Sequence, residues 1–434
     1  MNNPSNTIYA LSSGALPAGV AVLRISGPMA FEALRQLTGR PPGSPRQAGL
    51  RTVRDRAGNM IDQALVLSFV APHSFTGEDC VELQLHGSRA VVNAVLTELG
   101  AVPGCRMAEA GEFSRRAFEN GRLDLVEAEG LAELIAAETE MQRRLAVEQG
   151  FGGQSRLYED WAERLTFARA MIEAELDFAD EEDVPGSVAE QVTAQIAAVA
   201  ADLEAHLAAA RAGEIIGSGY RIAIVGPPNA GKSSLINYLA RRDVAIVTDI
   251  AGTTRDVLHV DLDMEGYLVR IFDTAGLRET QDIVEREGVR RARQTLKEAD
   301  LVLLLEEIGS QPDYSDPIDG DVLRIGTKLD LHPEAAAYDL CLSTETGAGI
   351  AELREIIISR IRDIWSGGIA PTRERQIGLL REASIFLNSA LKANELELRA
   401  EHLRAAAGFL GRITGHVDVE QLLDVIFSQF CIGK

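Results

Sequence analysis

Nine residues near the middle of the chain, Gly226-Pro-Pro-Asn-Ala-Gly231-Lys232-Ser233-Ser234, constrain the fold more than any other stretch. They match G-x-x-x-x-G-K-[ST], the pattern of a loop that cradles phosphates between a strand and a helix. The apolar run Tyr220-Arg-Ile-Ala-Ile-Val225 precedes the loop, and Leu235, Ile236 and Leu239 follow at helical spacing. Gly226 and Gly231 let several N–H groups face one phosphate, and the helix N-terminus adds the positive end of its dipole. Lys232 then reaches the β/γ-phosphates as the catalytic cation, and Ser233 ligates Mg²⁺. Asn229, Ala230 and Ser234 complete the loop. An ordinary glycine-rich turn would need neither strand nor helix at these positions.

A chain of 434 residues, 46% hydrophobic, has room for two or three domains and a sizeable core. Its net charge of −22 argues against broad nucleic-acid binding by the whole chain. A nucleic-acid partner would need a local basic patch or a second protein. No apolar run of membrane-spanning length and no signal-peptide layout occurs, so a cytoplasmic protein is expected. Cys80, Cys105, Cys341 and Cys431 lack metal-type spacing and read as free thiols in a reducing compartment.

The pattern predicts a multidomain α/β and all-α chain. Apolar or alternating runs at Gly19 to Ile25, Ala64 to Val70 and Cys80 to Leu85, with helical patterns at Met29 to Leu37 and Ala90 to Leu99, suit an antiparallel sheet backed by helices. From about Asp124, long Ala/Glu/Leu-rich helices run to about Ala212, broken at Gly150-Phe-Gly-Gly153 and Pro185-Gly186. Gly213 to Gly219 reads as a link into the nucleotide domain, and Ser366-Gly-Gly-Ile-Ala-Pro371 as the link out. Helices are expected again over Arg373 to Ala407 and Val417 to Phe427. The expected domains are 1–120, an α/β unit; 121–214 with 371–434, a discontinuous helical domain; and 215–370, an inserted nucleotide domain of Ras-like type.

Within that insert the remaining elements come in order. Thr254 of Asp249-Ile-Ala-Gly-Thr-Thr-Arg-Asp256 is placed to close over Mg²⁺ as a switch residue. The strand Leu268 to Asp273 ends in Asp273-Thr274-Ala275-Gly276, whose aspartate serves the metal and whose glycine N–H senses the γ-phosphate. Thr327-Lys328-Leu-Asp330 follows the strand Val322 to Gly326. The carboxylate of Asp330 can accept from guanine N1 and N2, whereas adenine would leave it unpaired, so the nucleotide is read as GTP. Thr327 stands where the usual pattern has Asn. Ser343-Thr344-Glu345 fits the last base-contacting loop. Leu277 follows Gly276 where a water-orienting Gln would stand in Ras-like enzymes, so the charge and the water must be managed by an acid such as Glu285 and by a cation.

The chain resembles the MnmE (TrmE) family of tRNA-modifying GTPases, of the TrmE-Era-EngA class, along its whole length. Outside the nucleotide motifs the resemblance rests on Leu23 to Pro28, Pro72-His-Ser-Phe-Thr-Gly-Glu-Asp79, Gly111-Glu-Phe-Ser-Arg-Arg-Ala-Phe118, Asn120 to Leu125 and Cys431-Ile-Gly-Lys434. It implies an N-terminal α+β domain that dimerises and binds a tetrahydrofolate derivative, in the 5-formyl or methylene form, through Arg24, Glu82, Arg122 and Lys434. Arg122 replaces a frequent Lys, which keeps the charge and changes its geometry. The resemblance further implies K⁺ in place of an arginine finger, held by Asn229 and by oxygens of Thr248, Ile250 and Thr253, with Glu285 orienting the attacking water. It implies a homodimer acting with the FAD protein MnmG (GidA), in a heterotetramer or larger assembly, at carbon 5 of the wobble uridine of certain tRNAs. Cys431 is carried as a candidate catalytic thiol; it is not a prenylation box, because Gly and Lys follow Ile432.

Read without that resemblance, Arg24, Glu82 and Arg122 are surface or paired charges, and His86 is a turn or packing residue. Two other functions compete. A regulatory or ribosome-assembly GTPase switch would not need the N-terminal motifs or the terminal Cys431 to Lys434. A P-loop ATPase or kinase is disfavoured by Asp330.

Overall fold

A computed structural model describes residues 6–177, 188–242, 244–246, 259–273, 294–310, 320–332, 338–365 and 368–416, together with Leu423, Ile426, Phe427, Phe430 and Gly433. The chain divides into two compact units, Met1–Ala132 with Gly411–Lys434, and Glu133–Leu410.

The first unit is built on a six-stranded sheet of order β3-β4-β5-β2-β1-β6. Its strands are β1 (Thr7–Leu11), β2 (Ala18–Ser26), β3 (Gly49–Arg54), β4 (Met60–Phe69), β5 (Cys80–Gly87) and β6 (Cys105–Met107). All pairings are antiparallel except β1 with β6. Alternation decides the faces: Leu23 and Ile25 of β2 and Leu83 and Leu85 of β5 are buried with α1 (Ala30–Thr38) and α2 (Arg89–Gly100), so Arg24 and Glu82 point the other way. Ser88 starts α2 by accepting from the Val91 N–H at 3.2 Å. The expected runs correspond to the three long strands β2, β4 and β5, whereas β1, β3 and β6 are short. Beyond α3 (Glu112–Glu119) and α4 (Leu125–Ala136), the end of the chain returns: Leu423, Ile426, Phe427 and Phe430 pack with Leu125 and Ala128. The Gly433 carbonyl accepts from Ser12 Oγ at 2.8 Å.

The second unit joins helices to a seven-stranded sheet, β13-β12-β11-β7-β10-β9-β8. In chain order it runs α5 (Glu140–Gly150), α6 (Gly153–Asp177), α7 (Val188–Ala208), α8 (Ala210–Ser218), β7 (Tyr220–Val225), α9 (Lys232–Arg242), β8 (Val244–Ile246), β9 (His259–Met264), β10 (Tyr267–Asp273), β11 (Leu301–Glu307), β12 (Val322–Thr327), β13 (Leu340–Cys341), α10 (Ile350–Ile364), α11 (Glu374–Lys392) and α12 (Leu396–Thr414). Strands β10, β7, β11, β12 and β13 are parallel, and β9 and β8 add an antiparallel edge. Strands β7 and β11 are nearly continuous apolar runs because both faces are covered: α9 and α10 pack on one, and Leu296 and Ala299 on the other. Among the described residues no helix is long and apolar enough to cross a membrane.

Two local readings are corrected. The stretch Gly213 to Gly219 is not a loose link: it lies in α8 up to Ser218. Gly213 is there because a Cβ would stand 2.4 Å from the Pro371 carbonyl, so the glycine serves close packing of the two chain crossings. The helix expected over Arg373 to Ala407 is two, α11 and α12, separated at 393–395. Most of Val417 to Phe427 lies outside the described residues.

The packing gives an expectation. Gly213→Ala gains roughly 1 kcal/mol of helix propensity, yet drives a methyl into a backbone carbonyl, which costs about 1–3 kcal/mol. Thermal denaturation should show a lower midpoint; an unchanged or higher one would mean that the crossing is loosely packed.

Candidate functional site

The loop after β7 emerges at the switch of the parallel sheet, where β10 lies on one side of β7 and β11 on the other. Gly226 has φ +149°, and a Cβ there would stand 2.1 Å from the Leu305 carbonyl of β11. Only glycine lets the chain pass so close. Asn229 adopts a left-handed φ of 66°, and Gly231 turns the chain into α9 at φ +89°. Buried Lys232 folds its ammonium across the loop, donating to the carbonyls of Gly226 (2.7 Å) and Pro227 (2.8 Å). Ala230 is buried, and Ser233 and Ser234 are exposed at the start of the helix. The parallel register sets Asp273 opposite Ile224, at the same sheet edge as the loop.

The base-reading elements reach that edge from β12 and β13. Thr327 is buried and donates through Oγ1 to the Glu306 carbonyl at 3.2 Å. Its side chain lies 3.8–3.9 Å from where a Gly231 Cβ would stand, so base loop and phosphate loop adjoin. Lys328, at φ 60°, donates to Glu307 Oε2 at 2.5 Å. Fully buried Ser343 donates to Asp330 Oδ1 at 2.5 Å while its oxygen accepts from the N–H groups of Glu345 and Thr346, both at 3.2 Å. The hydroxyl therefore fixes the orientation of the carboxylate, with Thr344 and Glu345 in the same turn. Thr248, Ile250, Thr253, Thr254, Thr274, Ala275, Gly276, Glu285, Cys431 and Lys434 lie outside the described residues.

A second polar cluster occupies the first unit. Arg24 faces Glu82 across β2 and β5 and donates to its Oε1 at 3.1 Å (Nε), with Nη2 at 3.0 Å. The guanidinium stacks over Phe75 (4.8 Å) and Phe113 (5.6 Å). Phe75 comes from the 72–79 loop, which an ion-pair chain ties down. Arg116 donates to Glu78 (3.1 Å) and Glu112 (3.0 Å), and Arg106 donates to Glu112 at 2.5 Å. Ser26 Oγ donates to Glu78 Oε2 at 2.6 Å, and Asn120 Nδ2 to the Thr76 carbonyl at 2.7 Å. Exposed Arg122 runs beside Gly77 of that loop, its Cγ 3.2 Å from the place of a Cβ. No described contact joins it to the Arg24–Glu82 pair. His86 pairs with Asp62 at 2.7 Å and is otherwise exposed.

The two aromatic rings and the buried ion pairs were not derivable as site parts from the sequence. Their only signal was the density of charges and aromatics in Pro72 to Asp79 and Gly111 to Phe118. The same holds for a clamp on the segment Ile369 to Arg373, between α10 and α11. Gln149 donates to the Ala370 carbonyl (3.3 Å) and the Thr372 hydroxyl (3.2 Å), and Glu133 accepts from Thr372 (3.0 Å) and Arg373 (2.7 Å). His206, beside Tyr158 Oη at 3.0 Å, bonds the Ile369 main chain; burial pushes its pKa down to about 4.

These elements define a class: a P-loop nucleotide-binding domain inserted among helices, in a chain that opens with a separate α+β unit. The comparisons name the family. A profile described as "GTP-binding protein TrmE N-terminus" matches residues 7–122, and one described as "MnmE helical domain" matches residues 125–431. The chain is 58% identical over 438 residues to the "tRNA modification GTPase MnmE" of Rhizobium meliloti (strain 1021), covering 99% of each chain. It is 58% identical over 437 residues to the protein of that name from Rhizobium etli (strain CIAT 652), again over 99% of each. The Era protein of Aquifex aeolicus, at 24% identity, overlaps 40% of this chain and 68% of its own with a TM-score of 0.26, too slight to carry an argument. The chain belongs to the MnmE (TrmE) family.

The ion-pair chain gives a pH expectation. Burial raises the Glu112 pKa, but the Arg106 hydrogen bond, the Glu109 N–H and the charges of Arg106 and Arg116 outweigh it, leaving the carboxyl below its ordinary 4.5. Its contribution to stability is therefore full above that value and is lost as pH falls through the depressed folded value. Glu112→Gln should cost about 2 kcal/mol at neutral pH, because it removes a buried carboxylate shared by Arg106 and Arg116 and leaves Arg116 with Glu78 as its one charged partner among the contacts described. Urea denaturation should show the gap between wild type and variant closing below pH 4.5; a gap independent of pH would remove the ion-pair account.

Proposed function

We propose that the chain is a dimerising, K⁺-dependent GTP hydrolase that acts in modification of carbon 5 of the wobble uridine of certain tRNAs. The observation that carries the reading is the phosphate loop packed against a base loop whose Asp330 is oriented by Ser343. Family membership along the whole length supports the tRNA pathway, since the relatives are named for tRNA modification.

The roles follow from residue chemistry. Gly226 to Gly231 accept the phosphates with main-chain N–H groups, and Lys232 turns its ammonium from loop carbonyls to the β/γ-phosphates. Ser233 and Thr254 hold Mg²⁺. Asn229 with oxygens of Thr248, Ile250 and Thr253 holds K⁺. These cations supply the positive charge that offsets charge developing on the phosphates. Asp273 to Gly276 responds to the γ-phosphate, Glu285 positions water, and Asp330 with Thr327, Lys328 and Ser343 to Glu345 selects guanine.

The Arg24–Glu82 pair suits a tetrahydrofolate derivative: the stacked, cross-strand geometry presents a fixed cation and carboxylate on an aromatic floor. Arg122 and Lys434 would add charge there, and Cys431 a thiol. In this reading residues 1–120 dimerise and bind folate, 215–370 hydrolyse GTP, and 121–214 with 371–434 form the helical domain. The homodimer works with the FAD protein MnmG.

Mass spectrometry of tRNA nucleosides from a strain lacking the gene should show loss of a 5-aminomethyl-type wobble uridine. Wild type should restore it and Lys232→Ala should not. An unaltered nucleoside profile would leave a GTPase switch without modification chemistry. Replacing KCl by NaCl at equal ionic strength should lower the hydrolysis rate at least tenfold, about the 1.4 kcal/mol expected when a transition-state charge is lost. Equal rates would discard the K⁺ assignment.

A further inference from the structure

The chain is strongly acidic, yet residues 35–61 carry six arginines, Arg35, Arg40, Arg46, Arg51, Arg54 and Arg56, against Asp55 alone. The segment includes edge strand β3 and the loops on either side. Two of the six are neutralised: Arg35 by Glu32 at 2.7 Å and Arg56 by Glu98 at 3.0 Å. Among the described residues no carboxylate pairs with the other four. Arg46 donates to the His73 carbonyl (3.1 Å), Arg51 to the Pro41 carbonyl (2.6 Å) and Arg54 to the Gly58 carbonyl (2.9 Å), all uncharged partners. No hydrogen bond or ion pair of the Arg40 side chain is found among the described residues, and Arg40, Arg46 and Arg54 are exposed.

Their order along the edge is regular. Arg46 lies beside the end of β4, its N–H donating to the Ser68 carbonyl at 2.8 Å. Arg51 brings the main chain at Arg40 and Pro41 to the middle of β3, through Nη1. Arg54 sits at the β3–β4 turn. The six residues of β3 span about 20 Å. Charges on an edge strand discourage pairing with another chain, which could account for Arg54 but not for Arg40 and Arg46, which lie off the strand. Arg46 also holds a φ of 62°, a left-handed conformation that glycine would adopt at roughly 1 kcal/mol less.

We infer that this arginine edge is a docking surface for the phosphate backbone of tRNA. The inference rests on the tRNA reading of the function. An acidic chain that engages a polyanion needs its positive charge concentrated and free of internal carboxylates, and the edge meets both conditions. Backbone contacts of this kind position the nucleic acid and carry no sequence information.

The test is fluorescence anisotropy of an unmodified tRNA transcript with the full chain, from about 0.05 to 0.3 M KCl. The triple variant Arg40→Gln, Arg46→Gln, Arg54→Gln should weaken binding at least tenfold near 0.1 M salt and reduce the slope of log K against log[salt] by about 2–3. The corresponding triple Lys variant should restore both, because a point charge suffices for phosphate. Arg35→Gln, which removes a neutralised charge, should change neither. Equal binding by the triple Gln variant would overturn this surface alone. Loss in both triple variants, with a lowered denaturation midpoint, would show the arginines to be structural and overturn it too. Loss of MnmG retention with tRNA binding intact would make the edge a protein interface. Absence of tRNA binding by wild type would sink the tRNA reading itself.

Discussion

The site in the second unit depends on a near-collision of backbone with backbone. Strand β7 lies directly beside β11, and the loop leaving it must cross the Leu305 carbonyl at a distance that excludes any side chain at Gly226. That crossing turns the chain at the sheet edge and places the start of α9 there. The parallel register then brings Asp273, Thr327 and Asp330 to that edge without further specification. Hydrophobic burial aligns the strands; one glycine decides where the chain can turn over them.

The nucleotide half of the molecule was legible because its chemistry is local. Loop, helix start and strand ends each occupy a few consecutive residues, and the apolar runs around them have a clear period. The register that puts Ser343 on Asp330 was not legible, since it joins residues from two strand ends through a side-chain hydroxyl. The first unit was legible where strands are long and alternate. Strand β3 was missed because arginines interrupt its apolar signal, and β6 because it is three residues long.

Glycine misled in one place and informed in another. The same residue type that marks a turn at Gly226 marks, at Gly213, a tight contact of a helix with the segment at Pro371, and composition cannot separate the two. Charged residues were ambiguous for a related reason. Glu112 and Arg116 look like surface residues in the sequence, but their ion pairs let them be buried beneath the loop that carries Phe75.

The clamp on residues 369–373 has a consequence for constancy. His206 bonds the Ile369 main chain and stands beside Tyr158 Oη, and its low pKa keeps the ring uncharged throughout the range near neutrality. A histidine is usually the residue through which a protein feels acidity; here burial has made it deaf. The grip on the segment between α10 and α11 is thereby the same in a mildly acidified cell as in an unstressed one.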